Sequence, residues 1–132
     1  MNNDVVIYQS SDGLVKMEAI VDASNETIWA TQKAMAELFG VNTQAITKHL
    51  GNIYQDAELI IEATCSKMEQ VRLEGGRRVT RQVEFYNLDA IISVGYRINS
   101  RQATAFRQWA TSCEGGRVLL NVDYMLFVVK VV

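Results

Sequence analysis

Two short amphipathic segments separated by one glycine constrain the fold of this 132-residue chain. Residues 31–50 read TQKAMAELFGVNTQAITKHL, and apolar residues recur in the first segment at the spacing of one helical face. Thr31 can cap this helix, Gly40 occupies the position at which a left-handed residue ends a helix, and Asn42 can cap a second helix. The pattern predicts two helices joined by a tight turn, which is typical of a helix-turn-helix.

The second of these helices has an apolar side and a polar side. Ile46, Leu50 and Ile53 share one side and are expected to point to the core. Four polar residues then lie on the exposed side: Thr43, Gln44, Thr47 and Lys48. Glutamine pairs with adenine through two hydrogen bonds, threonine offers a hydroxyl or touches a thymine methyl, and lysine reaches guanine or phosphate. We therefore predict that these four residues read base edges in DNA; an ordinary packed helix pair is the alternative.

Strand-like segments precede and follow the two helices. Residues 5–8 and 14–21 flank the turn sequence SSDG, and a further short strand is predicted at residues 26–29. Residues 64–73 and 78–86 flank EGGR, whose paired glycines suit a tight turn. The sequence therefore predicts two β-hairpins, one on each side of the helix pair.

Two further helices are predicted in the last part of the chain. Asn87 is expected to cap a helix over residues 88–98, and Asn99 or Ser100 a helix over residues 101–111. The predicted fold class is α+β: a helix-turn-helix with a β-hairpin wing, an N-terminal β-hairpin and two C-terminal helices.

The charge of the chain is segregated along the sequence. The formal net charge of −2 argues against a nucleic-acid partner, and acidic residues dominate residues 1–26 and 54–62. Basic residues dominate residues 64–81 and 94–109, as a phosphate-binding face would require. We predict four phosphate contacts: Arg77, Arg78, Arg81 and Arg101. The alternative is that these arginines are solvated and that those of the hairpin keep a sheet edge soluble.

The residues needed for catalysis or metal binding do not form a recognisable pattern. The single histidine, His49, lies in the predicted second helix, and Cys65 and Cys113 lack a CxxC spacing. We expect two free thiols rather than a disulfide, because the two cysteines fit a reducing cytosol. The sequence predicts no catalytic residues, no metal site and no cofactor, and hence a protein that is not an enzyme and has no small-molecule substrate.

The N-terminus and the hydropathy predict a cytoplasmic protein with no membrane partner. The first residues, MNNDVVIYQS, lack a basic segment followed by a long apolar run, so no signal peptide is expected. No apolar stretch reaches the roughly 18–20 residues that span a bilayer.

The C-terminal segment differs in character from the rest of the chain. Residues 118–132 read VLLNVDYMLFVVKVV and are rich in β-branched and aromatic residues, which favours a strand. We predict a domain over residues 1–112 and an atypical apolar tail over residues 113–132. The tail must be packed on the domain or on a partner chain, and strand exchange through it would give a homodimer.

Three blocks of sequence resemble a known family. They read ETIWATQKAMAELFGVNTQAITKHLGNIY, CSKMEQ and FYNLDAIISVGYRINSRQATAFRQWAT. Over roughly residues 5–112 they resemble the N-terminal region of the RhuM virulence-protein family, which occurs in bacterial pathogenicity islands and mobile elements. The third block is also similar to the Bro-N domain, a DNA-binding module of phage antirepressors and large DNA viruses. The resemblance ends after about Ser112.

This resemblance implies a prophage-like or island-encoded DNA-binding domain. With the residue pattern, it predicts sequence-preferring binding of double-stranded DNA by a transcriptional regulator or antirepressor-like module. The alternative is a protein-interaction module of a virulence or toxin-associated protein that does not bind DNA directly.

Overall fold

The computed structural model describes residues 4–9, 16–114 and 117–120. In those ranges the predicted α+β class is confirmed. The elements are β1 (Asp4–Gln9), β2 (Lys16–Asp22), a 3-10 turn (Ala23–Asn25), β3 (Thr27–Ala30), α1 (Gln32–Phe39), α2 (Thr43–Gln55), α3 (Ile61–Thr64), β4 (Cys65–Glu74), β5 (Arg77–Asn87), α4 (Leu88–Ile98), α5 (Ser100–Ala110), β6 (Thr111–Glu114) and β7 (Arg117–Leu120).

Five strands form one antiparallel sheet in the order β1-β2-β3-β5-β4. The predicted N-terminal hairpin is confirmed by the pairing of β1 with β2, whose connecting turn lies outside the described residues. β3 joins β5 through only two residue pairs, Trp29 with Asn87 and Ala30 with Tyr86. The second hairpin is therefore attached to the sheet at its base, while its distal part extends beyond β3.

The second hairpin has the tight turn that the sequence predicts. β4 and β5 pair from Cys65 with Tyr86 to Glu74 with Arg77. Gly75 and Gly76 form the turn with φ of +57° and +78°. Positive φ at both central residues is the requirement of a type I′ turn, and glycine meets it without a steric cost. The basic residues at Arg77 and beyond are thereby placed at the tip.

Side-chain caps set the ends of the first two helices. Thr31 Oγ1 accepts a hydrogen bond from the amide of Ala34 at 3.1 Å, and Asn42 Oδ1 accepts one from the amide of Ala45 at 2.8 Å. Gly40 ends α1 in the left-handed conformation, with φ of +67°. The predicted boundaries of this helix pair are confirmed, because each rests on a local capping interaction.

The caps of the last two helices are also as predicted. Asn87 Oδ1 accepts from the amide of Ala90 at 3.2 Å. Of the two candidates for the final helix, Asn99 is the cap: its Oδ1 accepts from the amide of Gln102 at 3.2 Å, and Ser100 is the first residue of α5.

The hydrophobic core lies between the sheet and the four longer helices. Alternate residues of β2 are buried, together with Ile28 and Ala30 of β3. The largest side chains that are almost completely buried are Phe106, Met17, Ile28, Met35, Leu38, Ile46, Ile53, Ile91 and Val94. Tyr8 of β1 meets Phe106 and Trp109 of α5 with ring centroids 5.2 and 4.8 Å apart. The last helix is thus packed against the first strand.

A buried carboxylate organises the connection from β2 to β3. Asp22, which is only 7% exposed, accepts hydrogen bonds from Ser24 Oγ at 3.0 Å, Asn25 Nδ2 at 2.9 Å and Trp29 Nε1 at 3.1 Å. The bond from Asn25 contributes most to lowering the pKa of Asp22; burial opposes it, and Trp29 and Ser24 add to the lowering. The ionised carboxylate therefore stabilises this turn.

We expect the stability of the protein to fall in acid as Asp22 gains a proton. Because the pKa of Asp22 lies below the ordinary value of 3.8, its contribution is complete above that pH and is lost as pH falls through the lowered value. At about pH 6, Asp22→Asn should be less stable than the wild type by about 1–3 kcal/mol in urea denaturation. The difference should narrow as the pH falls below 3.8, and a difference independent of pH would contradict the role of the charge.

Candidate nucleic-acid interface

The outer side of α2 carries the four predicted base-reading residues. The helix buries Ile46, Leu50 and Ile53. The remaining side presents exposed polar residues at Thr43, Gln44, Thr47 and Lys48. Their predicted exposure is confirmed, since it follows from the apolar spacing of the helix, while base reading stays a prediction.

Thr47 contacts two acceptors that belong to the protein itself. Its Oγ1 donates to Oε1 of Gln32 at 2.5 Å and also lies 3.0 Å from the carbonyl oxygen of Thr43. Gln32 is the first residue of α1 and is half-buried beside α2. Sequence reasoning missed Gln32, because its contact with Thr47 depends on how α1 packs on α2 and leaves no local pattern.

The hydrogen bonds continue from Gln32 to the base of the second hairpin. Gln32 Nε2 donates to Oη of Tyr86 at 3.0 Å, and Tyr86 Oη donates to Oε2 of Glu84 at 3.0 Å. Tyr86 is 4% exposed, and this burial is the main reason that its pKa lies well above the ordinary value of 10.0. The phenol therefore keeps its proton at neutral pH, and α2 is linked to β5 by a continuous hydrogen-bond chain.

Two of the four predicted phosphate-binding arginines lie at the hairpin tip. Arg77 and Arg78 are exposed and form no ion pair with any residue that the structure describes. β5 spans 11 residues, so at about 3.3 Å per residue the tip lies at most about 30 Å from Tyr86 at the base. That distance is close to one turn of B-DNA, about 34 Å. The tip is thus the part of the hairpin farthest along its strands from the attachment to β3.

The third arginine of the hairpin is paired within the protein. Arg81 Nε and Nη2 donate to the two carboxylate oxygens of Glu74 at 3.1 and 3.0 Å. The hydrogen bond from Arg81 lowers the pKa of Glu74 and the same bond raises the pKa of Arg81. A phosphate would have to compete with this carboxylate, so Arg81 is a weaker anion-binding group than Arg77 or Arg78.

The basic segment over residues 94–109 is also partly neutralised. Arg97 Nη2 lies 3.5 Å from a carboxylate oxygen of Asp56 and 3.6 Å from one of Glu58, which follow the end of α2. Arg101, on the first turn of α5, is exposed and has no ion pair among the described residues. Of the basic groups named for this segment, Arg101 is better placed than Arg97 to meet a phosphate.

A cleft lies beside α1, next to the end of β3 and to the part of the second hairpin that extends beyond β3. Its volume is about 490 Å³, and its charged lining residues come from β2, α1 and β4: Glu18, Lys33, Glu37 and Arg72. The remaining lining is largely apolar and includes Phe85 and the exposed Leu73. The cleft is thus open and of mixed charge.

Cys65 and the acidic residues of the described ranges do not form an ion site. Burial raises the pKa of the Cys65 thiol, so it remains protonated at neutral pH. Across the described ranges, no three His, Cys, Asp or Glu side chains are placed to hold a metal ion. Among the same residues, no helix is both long and apolar enough to cross a membrane.

Comparison with known proteins identifies one region of similarity. Residues 63–115, less than half of the chain, match the Virulence protein RhuM family. This segment runs from α3 through β6, and it leaves α1 and α2 outside the match. No curated protein and no solved structure matches the chain. The predicted resemblance to RhuM proteins is therefore confirmed over residues 63–115, and the relation to the Bro-N domain stays a prediction.

Proposed function

We propose that this protein binds double-stranded DNA with a preference for particular sequences, as a regulator or antirepressor-like module of a mobile element, prophage or pathogenicity island. The observation that carries the proposal is the exposed polar side of α2, directly after the tight turn at Gly40. In this proposal α1 and α2 form a helix-turn-helix, and Thr43, Gln44, Thr47 and Lys48 face the base edges. The similarity of residues 63–115 to RhuM proteins supports a virulence-associated role.

The second hairpin would act as a wing that binds phosphate. Arg77 and Arg78 have the exposure and the free charge that this role requires, and Arg101 offers a further cation. In this proposal Arg81 binds phosphate only when its ion pair with Glu74 breaks. Arginine suits the role because its planar group meets two phosphate oxygens at once.

The proposal includes a homodimer in the cytoplasm that acts by binding, without catalysis or a cofactor. One recognition helix buries a limited surface, so useful specificity normally requires two copies of the module. The proposed dimer contact is the tail, residues 113–132. Its described part includes the antiparallel pairing of β6 with β7, and residues 121–132 lie outside the described residues.

An exposed apolar pair favours a second candidate function, binding to another protein. Val71 is 59% exposed and Leu73 is 78% exposed, and the two lie on the same face of β4 near the tip. Exposed apolar side chains in a cluster are typical of protein-interaction surfaces. In this alternative the hairpin docks on a partner protein, and Lys48 has no role.

We expect the affinity for random-sequence duplex DNA to fall steeply with salt. Each phosphate contact releases bound counterions, so Arg77→Ala/Arg78→Ala should make the slope of log K against log salt shallower by about two units. Lys48→Ala should reduce it by about one unit. Fluorescence anisotropy across a salt series measures both slopes.

The matched control is Lys16→Ala, which removes an exposed cation from β2 outside the proposed interface. It should leave the slope unchanged. If folded wild-type protein fails to bind DNA at about 50 mM salt, the proposal is wrong, since non-specific binding is strongest there. Unchanged slopes in the arginine variant would remove the wing from the proposal and leave α2.

A further inference from the structure

The hydrogen-bond chain from Glu84 to Thr47 has a fixed direction. The Glu84 carboxylate accepts a hydrogen bond from the Tyr86 phenol, which has only one proton to give. Tyr86 Oη can therefore only accept from Gln32, so the NH₂ group of the Gln32 amide faces it. The other end of that amide, Oε1, faces Thr47.

The direction of these hydrogen bonds decides whether the Thr47 hydroxyl can donate to a ligand or only accept from it. Gln32 Oε1 has no proton, so the Thr47 hydroxyl must donate to it across the 2.5 Å contact. The carbonyl oxygen of Thr43 competes for the same proton at 3.0 Å. Both acceptors belong to the protein itself, so neither contact leaves the proton free for an outside group. The Thr47 oxygen therefore has only lone pairs to offer to an outside group.

We propose that Gln32 is a positioning residue that makes Thr47 a hydrogen-bond acceptor for an exocyclic amino group of a base, adenine N6 or cytosine N4, in the major groove. This inference rests on the proposed DNA-binding function and narrows it. A threonine hydroxyl that is free to rotate can donate or accept, so it distinguishes bases poorly. Because the major groove displays amino donors only on adenine and cytosine, a threonine fixed as an acceptor selects for them.

The experiment first selects a preferred duplex with wild-type protein from a random library. Each adenine of that duplex is then replaced by purine, and each cytosine by 2-pyrimidinone, which removes one amino group at a time. At one position we expect the wild type to bind the duplex that lacks the amino group about tenfold more weakly than the selected duplex, which is the effect of one neutral hydrogen bond. This ratio of the two affinities is called the factor below. The base at that position identifies which of the two amino groups is bound.

Variants of the protein distinguish the positioning role of Gln32 from the direct contact made by Thr47. Thr47→Val keeps the shape of the side chain and should abolish the tenfold factor. Gln32→Met should reduce it to about threefold or less, because the hydroxyl then keeps only the longer contact with the Thr43 carbonyl and can rotate to donate outward. Gln32→Glu keeps an acceptor facing Thr47, and the Tyr86 hydroxyl can turn its proton from Glu84 to the new carboxylate. It should therefore retain the factor while lowering the affinity for all duplexes alike through its charge. Gln108→Met, at an exposed glutamine of α5, is the matched control and should resemble the wild type.

Each of the following outcomes would overturn the inference. A Gln32→Met variant that keeps the factor, or that weakens all duplexes equally, removes the positioning role. Loss of the factor in Gln32→Glu as well shows a structural role for the side chain and no role for the acceptor. Wild-type binding without dependence on any single amino group rejects the inference and leaves the proposed function intact. Failure of folded wild type to bind any duplex rejects both.

Discussion

Replacing Phe106 with alanine is expected to lower the free energy of unfolding by about 3–5 kcal/mol, the usual cost of removing a buried aromatic ring. Phe106 is completely buried in α5. Its ring lies edge-on to Tyr8 at 5.2 Å and stacks on Trp109 at 5.7 Å. The substitution would remove one of the two rings of α5 that pack on Tyr8 of β1. A domain of this size has a total stability of about 5–15 kcal/mol, so a large part of it depends on this side chain.

Urea denaturation followed by circular dichroism measures this effect. Phe106→Leu conserves most of the volume and should cost less than about 1.5 kcal/mol. Gln108→Ala changes an exposed residue of the same helix and should stay within about 0.5 kcal/mol of the wild type. A cost under about 1 kcal/mol for Phe106→Ala would contradict the close packing of α5 on β1.

Gly95→Ala is expected to destabilise the protein by about 1–3 kcal/mol, although alanine favours helices. A Cβ at Gly95 would lie 2.5 Å from Cζ of Phe39 and 2.8 Å from Cβ of Ala103. Phe39 is 5% exposed and Ala103 is fully buried, so neither can move aside into solvent. Gly95 thus allows α4 to approach α1 and α5 closely.

Gly51→Ala provides the opposite case in the same protein. Gly51 lies in α2 and is exposed, and a Cβ added there would meet no other atom within 4 Å. We expect a gain of about 0.5–1 kcal/mol from the greater helix propensity of alanine. Chemical denaturation of the two variants should therefore give changes of opposite sign. A gain for Gly95→Ala would show that α4 packs less closely on Phe39 and Ala103 than these distances require.

The helix boundaries could be predicted because they depend on neighbours in sequence. Thr31, Gly40, Asn42 and Asn87 each act on a residue a few positions away, and the structure confirms all four. Gly95 has no comparable signal. Its importance comes from a contact with Phe39, which is distant in the chain, and nothing in the surrounding sequence marks it.

The candidate interface could be predicted only in outline. The exposed side of α2 follows from the positions of Ile46, Leu50 and Ile53. The segregation of charge, by contrast, does not reveal that Arg81 is paired with Glu74. A sum over sequence segments cannot detect such pairing, because it depends on which side chains the folded chain brings together.

The second hairpin is attached to the sheet only at its base, so its length can change without a change in the packing of the core. Two residue pairs with β3 and the bond from Gln32 to Tyr86 hold its base, while the exposed tip carries Arg77 and Arg78. Adding two residues to each strand would advance the tip by about 6.6 Å and keep every side chain on its original face. A longer or shorter second hairpin is therefore compatible with the same hydrophobic core.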